Sequence, residues 1–208
     1  MEKRVMKIAL IGATGNVGSR VLAELISRGH AVTAIVRHPE KVPARPGVTP
    51  KRGDVHDQAG LAPLLAGHDA VVSAVRFSAS DPHLLIGAVK AAGVPRYLVV
   101  GGAGSLEVAS GQKLMDTPNF PAAYKPEASA GGVFLELLRG EKDLDWTFLS
   151  PSALISAGER TGKFRLGGDH LLTGADGKSS ISYEDFAVAL ADEIERHAHS
   201  RRRFTVGY

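Results

Sequence analysis

A doubly wound α/β fold, a parallel sheet covered by helices on both faces, is what this sequence predicts. Three observations carry the prediction. Short β-branched apolar runs alternate with stretches of helical periodicity along most of the 208 residues. A glycine-rich turn joins the first run to the first helical stretch. Two long irregular segments, residues 103–123 and 152–182, each follow a strand-like run. That order puts both at the carboxyl ends of the strands, where open α/β sheets hold their ligands, so they are the expected walls of a pocket.

Residues 5–11 (VMKIALI) form a nearly continuous apolar run and read as a buried parallel strand. Apolar residues at 17, 21, 22, 25 and 26 predict a helix over 17–27, stopped by Gly29. Residues 31–36 (AVTAIV) are the second strand, and the three elements make one crossover unit. The alternation repeats with a weak strand at 48–53, a short helix at 58–65 that contains Pro63, a strand at 70–75, a helix at 83–92 and a strand at 96–100. A helix at 126–139, a strand at 146–149, a helix at 183–195 and a short strand at 203–206 complete the pattern. One domain is expected over 1–208, with 152–182 as a small lobe over the cleft.

Composition is ordinary for a globular chain, 44% hydrophobic and 23% charged, with a net charge of +3. The positive excess is concentrated in the segment from His197 to Arg203, which reads as a solvated surface, so no nucleic-acid partner is expected. The absence of cysteine excludes disulfides, thiolate nucleophiles and cysteine zinc sites, and fits a reducing cytoplasm. No apolar run approaches the roughly 20 residues of a membrane span, and the first residues run straight into a strand; a cytoplasmic protein without a membrane partner is expected. His197 and His199 have no third ligand nearby in sequence, and no metal site is expected.

The turn Gly12-Ala13-Thr14-Gly15-Asn16-Val17-Gly18 carries the first chemical signal. Glycines at 12 and 15 let the backbone bend tightly and approach a pyrophosphate, and Gly18 lets the helix pack closely. The helix N-terminus offers unpaired N–H groups and a positive dipole to phosphates. Strand, glycine loop and helix in this order point to a dinucleotide. At the end of the second strand, where a carboxylate would bind the ribose 2′-hydroxyl of NAD, stand Arg37 and His38. A guanidinium suits a 2′-phosphate, so NADP(H) is expected over NAD(H). Asp54 and Val55, after the third strand, are assigned to the adenine side, although an Asx turn also explains Asp54. Ser73, Ala74 and Val75 end the fourth strand and leave room for ribose and pyrophosphate. Gly101, Gly102 and Pro151, at the ends of the fifth and sixth strands, are assigned to the same cleft.

The opening KIALIGATGNVGSRVLAELISRGHAVTAIVRHPEK resembles the atypical short-chain dehydrogenase/reductase superfamily, and KAAGVPRYLVVGGAGSL, LDWTFLSPSAL and ISYEDFAVAL are similar to the same branch. That branch is the small NAD(P)H-binding proteins related to NmrA-like proteins and to flavin/biliverdin-IXβ reductases. The resemblance implies a Rossmann fold, an NADP-binding cleft and a small C-terminal lobe. The superfamily's standard reductases also carry a serine and a YxxxK pair, whose lysine lowers the tyrosine's pKa for proton transfer. Here Tyr124 falls at the tyrosine position, Ala128 stands four residues on, and Lys125 is next door. Pro126 biases Lys125 away from α geometry, so Tyr124 and Lys125 are expected in the loop that leads into the helix, touching ligand without forming the standard relay. Ser105 follows the fifth strand near the family's serine and is expected to donate to a substrate carbonyl, although a loop serine capping a turn also explains it. The histidine that the flavin/biliverdin reductases have after the sixth strand is replaced by Pro151-Ser152-Ala153-Leu154; His170 is the nearest substitute in sequence.

The expected function is an NADP(H)-dependent oxidoreductase that passes hydride to a small quinone-, flavin- or carbonyl-type acceptor. The alternatives are a non-catalytic NADP(H)-sensing protein of the NmrA-like kind and, more distantly, an epimerase or dehydratase. The expected partner is the small-molecule acceptor, and the chain is expected to be a monomer or homodimer.

Overall fold

The computed structural model describes residues 4–208. The apolar runs become strands because both of their faces are covered. In chain order the elements are β1 (Lys7–Ile11), α1 (Asn16–Ser27), β2 (Ala31–Val36), β3 (Val48–Arg52), α2 (Gln58–Leu65), β4 (Ala70–Ser73), α3 (Pro82–Ala91), β5 (Arg96–Val100), β6 (Glu107–Ala109), β7 (Gln112–Lys113), α4 (Lys125–Gly140), β8 (Asp145–Ser150), β9 (Leu154–Ser156), β10 (Arg165–Gly167), β11 (Ser180–Ser182), α5 (Tyr183–Arg196) and β12 (Arg202–Gly207). The first strand begins at Lys7 rather than at residue 5, since Val5 is 65% exposed and the Met6 amide is taken by the His30 ring.

The main sheet has eight strands in the order β10-β12-β8-β5-β4-β1-β2-β3, parallel throughout except for the antiparallel pair β10–β12. The sequence order reverses beside β1: β2 lies on one side and β4 on the other. In an open parallel sheet this switch point opens a crevice at the carboxyl ends. Two hydrogen bonds frame it, Gly12 N to Ile35 O at 3.0 Å and Ala74 N to Ile11 O at 2.9 Å.

α1 and α5 pack together over one face of the sheet, with Leu25, Phe186 and Leu190 buried beside Leu10 and Val72. α2, α3 and α4 cover the other face, where Leu61, Leu85 and Phe134 meet Tyr97 and Phe148. Each such fully buried side chain contributes about 1.5–3 kcal/mol relative to exposure. Pro50 is tolerated because β3 is the outermost strand.

The two irregular segments acquire structure from distant partners. β6 and β7 form a small hairpin, and Glu107 exchanges hydrogen bonds with the loop around His170, Glu107 N to Asp169 O and Leu171 N to Glu107 O, both at 2.9 Å. Within 152–182, β9 and β11 pair as a separate two-stranded ribbon, while β10 adds to the edge of the main sheet. The stretch between β9 and β10 is pinned to the α1/α5 layer. Arg160 donates to both oxygens of Glu24, and Gly162 N donates to Asp185 at 2.7 Å.

Candidate functional site

The glycine loop sits at the mouth of the crevice. Gly12 has φ +85°, and a Cβ there would run into the Ala74 carbonyl oxygen. A Cβ on Gly18 would run into the Gly12 carbonyl, so this glycine serves contact between helix and loop. Gly15 is different. Its φ is −73°, open to any residue, and an added Cβ would make only ordinary contacts, 3.5 Å from Gly12 O and 3.9 Å from Ala74 O. Neither backbone conformation nor the protein's own packing requires glycine at 15, and its missing Cβ leaves room for a pyrophosphate to approach closely. With Gly15 at its N-cap, α1 has no side-chain cap and no acid in its first turn; Asp57, Asp81 and Ser182 cap α2, α3 and α5, and α4, also without a side-chain cap, has Glu127 in its first turn. The donors around Asn16, Val17 and Gly18 and the positive end of the helix are thereby left for an anion. The residues present fit a dinucleotide.

Beyond β2, Arg37 is exposed, and its guanidinium has no hydrogen-bond or ionic partner among the described residues. His38 pairs instead with Glu40, Nδ1 to Oε1 at 3.1 Å, in the open. A recess of about 250 Å³ runs from Ala13 and Thr14 along Leu22 and Ile26 of α1, beneath Lys41 and Arg45. Neither of these cations makes a salt bridge among the described residues, although Lys41 acts electrostatically on the neighbouring Glu40. Sequence reasoning named Arg37 and His38 at this end of β2, and not Lys41 or Arg45. The available signal was the cluster of cations in the ten residues after β2. Asp54 accepts from His56 N at 2.9 Å, an Asx turn on the exposed rim, and Val55 packs partly into the core.

At the switch point Ser73 is buried and its hydroxyl pairs with the Tyr97 hydroxyl at 2.9 Å. Burial pushes the Tyr97 phenol well above its usual range, so the pair stays neutral beneath the cleft. Ala74 and Val75 line the approach to Gly12. Gly101 is required by packing, since a Cβ would enter Phe148; Gly102 has open space, its nearest neighbour a Phe77 ring atom 3.9 Å away. Pro151 is buried just past β8.

Tyr124 and Lys125 mark the start of α4. The expectation that Pro126 would push Lys125 out of α geometry is corrected. Lys125 has φ −57° and ψ −43° and is the first residue of the helix, with Tyr124 at its N-cap. A bias of the residue before proline is a preference, and a helix continuing for sixteen residues outweighs it. Tyr124 is 65% exposed, Lys125 is exposed, and neither side chain has a recorded partner among the described residues. Ala128 packs against Gly104, where a Cβ on the glycine would already be too close, so a lysine stem has no room at that position.

Ser105 is turned inward. It is 8% exposed and its hydroxyl accepts from Arg203 Nη1 at 3.0 Å. Arg203 in turn holds Asp169, Nε to Oδ1 at 2.7 Å, and Arg139 reaches the same oxygen at 2.9 Å. Burial lowers the Arg203 pKa from the usual arginine range, and Asp169 counters it. The serine thus belongs to the anchor joining β12, α4 and the 167–171 loop; its hydroxyl oxygen accepts from Arg203 while its proton has no acceptor among the described residues. His170 is largely exposed beside Glu107, at 3.4 Å.

Among the described residues no helix is long and apolar enough to cross a membrane, and no group of three or more metal-ligating side chains occurs. The strand order, the glycine turn at the switch point and the uncapped α1 define a Rossmann-type dinucleotide-binding protein. The chain belongs to the NAD(P)H-binding family, which it matches over residues 12–197, and it fits the atypical short-chain dehydrogenase/reductase group. The Bacillus subtilis protein YwnB is 44% identical over 97% of this chain and 98% of its own length. A Bacteroides thetaiotaomicron crystal structure described as that of a candidate epimerase superposes with a TM-score of 0.94 at 44% identity, covering 99% of this chain and 98% of that one. A candidate NADH-flavin reductase from Streptococcus pneumoniae superposes with a TM-score of 0.83 at 38% identity, covering 97% and 99%.

Proposed function

We propose that this protein is an NADP(H)-dependent reductase of a small, flat acceptor, quinone-, flavin- or carbonyl-like. The observation that carries the reading is Gly15, a glycine that the fold does not need, set between the switch point and an uncapped helix N-terminus. When bound, the reduced nicotinamide supplies a hydride. The amides at the start of α1 would hold the pyrophosphate, and Arg37, with Lys41 close behind, would take the 2′-phosphate. The name of the Streptococcus pneumoniae relative carries a flavin acceptor, which supports the acceptor class, and NADH; the unpaired cations of this chain support the phosphorylated cofactor. Tyr124 would lie over the acceptor's edge as a hydrogen-bond donor. With Ala128 in the lysine's place and Ser105 buried beside Arg203, the proton that completes reduction would come from solvent, which suits electron-poor rings.

Calorimetric titration tests cofactor choice: NADPH is expected to bind more tightly than NADH, and equal affinities would remove that preference. Turnover is tested by NADPH consumption across quinones, flavins and carbonyl compounds, where no consumption would defeat the reductase reading. The missing lysine also favours a non-catalytic NADP(H) sensor. That reading predicts no turnover and a protein partner whose capture depends on the cofactor's redox state.

A further inference from the structure

We propose that Glu127 is a positioning residue for the nicotinamide half of the cofactor; the inference rests on the dinucleotide reading above. An acid in the first turn of a helix ordinarily complements that helix's own dipole. This one is aimed elsewhere. Glu127 Oε1 accepts from Phe77 N at 2.7 Å, and Oε2 accepts from Ser78 N at 2.9 Å and from Ser78 Oγ at 2.5 Å. Phe77 and Ser78 open a short 3₁₀ turn, Phe77–Ala79, that has no side-chain cap of its own. Glu127 is therefore its cap, supplied by a different element about fifty residues later in the chain.

The clamped segment matters because of where it begins. Ala74, Val75 and Arg76 leave β4 at the switch point and run directly into the turn. Ala74 N is fixed to Ile11 O at 2.9 Å, so one end is set by β1 and the other by Glu127. Phe77 adds an apolar anchor, edge-on to Phe134 with ring centres 5.4 Å apart and stacked on Phe148 at 5.9 Å. A dinucleotide spanning the switch point with its adenosine toward β2 and Arg37 carries its other half over the ends of β4 and β5. The segment from Ala74 to Ser78 is the floor there, and Tyr124 lies three residues before Glu127, at the start of the same helix. One carboxylate thus sets the distance between the cofactor's bed and the side chain proposed to face the acceptor.

Binding of NADPH and of 2′,5′-ADP, which has the adenosine half alone, to wild type and Glu127→Gln separates this role from general stability. The amide is isosteric but keeps one acceptor oxygen, so its NH2 faces either the Phe77 N–H or the Ser78 donors, and NADPH affinity is expected to fall about tenfold while 2′,5′-ADP affinity is unchanged. Ser78→Ala, which removes one of the three bonds, should weaken NADPH about threefold. Glu136→Gln, on an exposed turn of the same helix, should alter neither. Unchanged NADPH affinity in Glu127→Gln, or an equal loss for both ligands, overturns the inference and leaves the dinucleotide reading standing. If wild type binds neither ligand, the reading itself falls and the inference with it.

Discussion

Arg37, Lys41 and Arg45, near the glycine loop, make no salt bridge among the described residues, whereas Arg139, Arg160 and Arg203, in the C-terminal part, each hold a carboxylate. The two regions use the same side-chain chemistry for different ends. Arg203 is a buried strut, and Asp169 compensates its desolvation. Arg160 ties a loop to Glu24 of α1. Among the described residues the cations near the loop make no salt bridge, and two of them, Lys41 and Arg45, line a recess beside an uncapped helix end, a surface whose charge favours an anion. The same contrast runs through the glycines: Gly12 and Gly18 are explained by the protein's own atoms, and Gly15 is not.

The largest effects should come from the glycines. Gly12→Val places a branched side chain at φ +85° against the Ala74 carbonyl and should cost more than about 4 kcal/mol, read as loss of the cooperative thermal transition. Gly15→Ala should cost under about 1 kcal/mol yet weaken NADPH at least tenfold by calorimetry. A Gly15→Ala protein that bound normally would erase the distinction between the two glycines. On the paired side, Asp169→Ala strands Arg203 without its carboxylate and should lower unfolding free energy by about 2–3 kcal/mol in urea, with cofactor affinity kept. On the unpaired side, the double substitution of Arg37 and Lys41 by serine should lower the NADPH-to-NADH affinity ratio about tenfold and leave the melting temperature unchanged. A fall in melting temperature would mean that these cations hold the fold after all.

The smallest effect concerns Glu24. Hydrogen bonds from Arg160 hold its carboxyl below the ordinary value of 4.5, with Arg28 adding to this. A carboxylate whose folded pKa is depressed contributes stability above its unfolded pKa and loses it as pH falls through the folded one. Glu24→Gln should therefore be less stable than wild type at pH 7, and the gap should close as pH drops below 4.5. Arg160 is 56% exposed, so solvent screening keeps the gap small.

The regular elements were legible because their signal is local. β2, α2 and β5 occupy the residues that apolar runs and helical spacing predict. The glycine loop and Arg37 were legible because motif and strand end are close in sequence. What escaped was made by partners far apart. β9, β10 and β11 are three residues each and owe their existence to pairing across the fold. Ser105 is adjacent to its expected place, yet its hydroxyl is turned toward an arginine 98 residues away. Glu127 reads as an ordinary helix-start acid until its acceptor atoms are seen on another element.

By itself the sequence determined the alternation of strand and helix, the parallel sheet and a backbone bend that suits a pyrophosphate, because periodicity and glycine act over a few residues. Only the tertiary structure decided which polar groups were left over: an open space at Gly15, unanswered cations beside α1, a serine withdrawn into an ion-pair anchor and a carboxylate lent to a neighbouring loop. Whether a charged group is free or engaged depends on what the rest of the chain brings within about 3 Å of it, and no local pattern contains that distance.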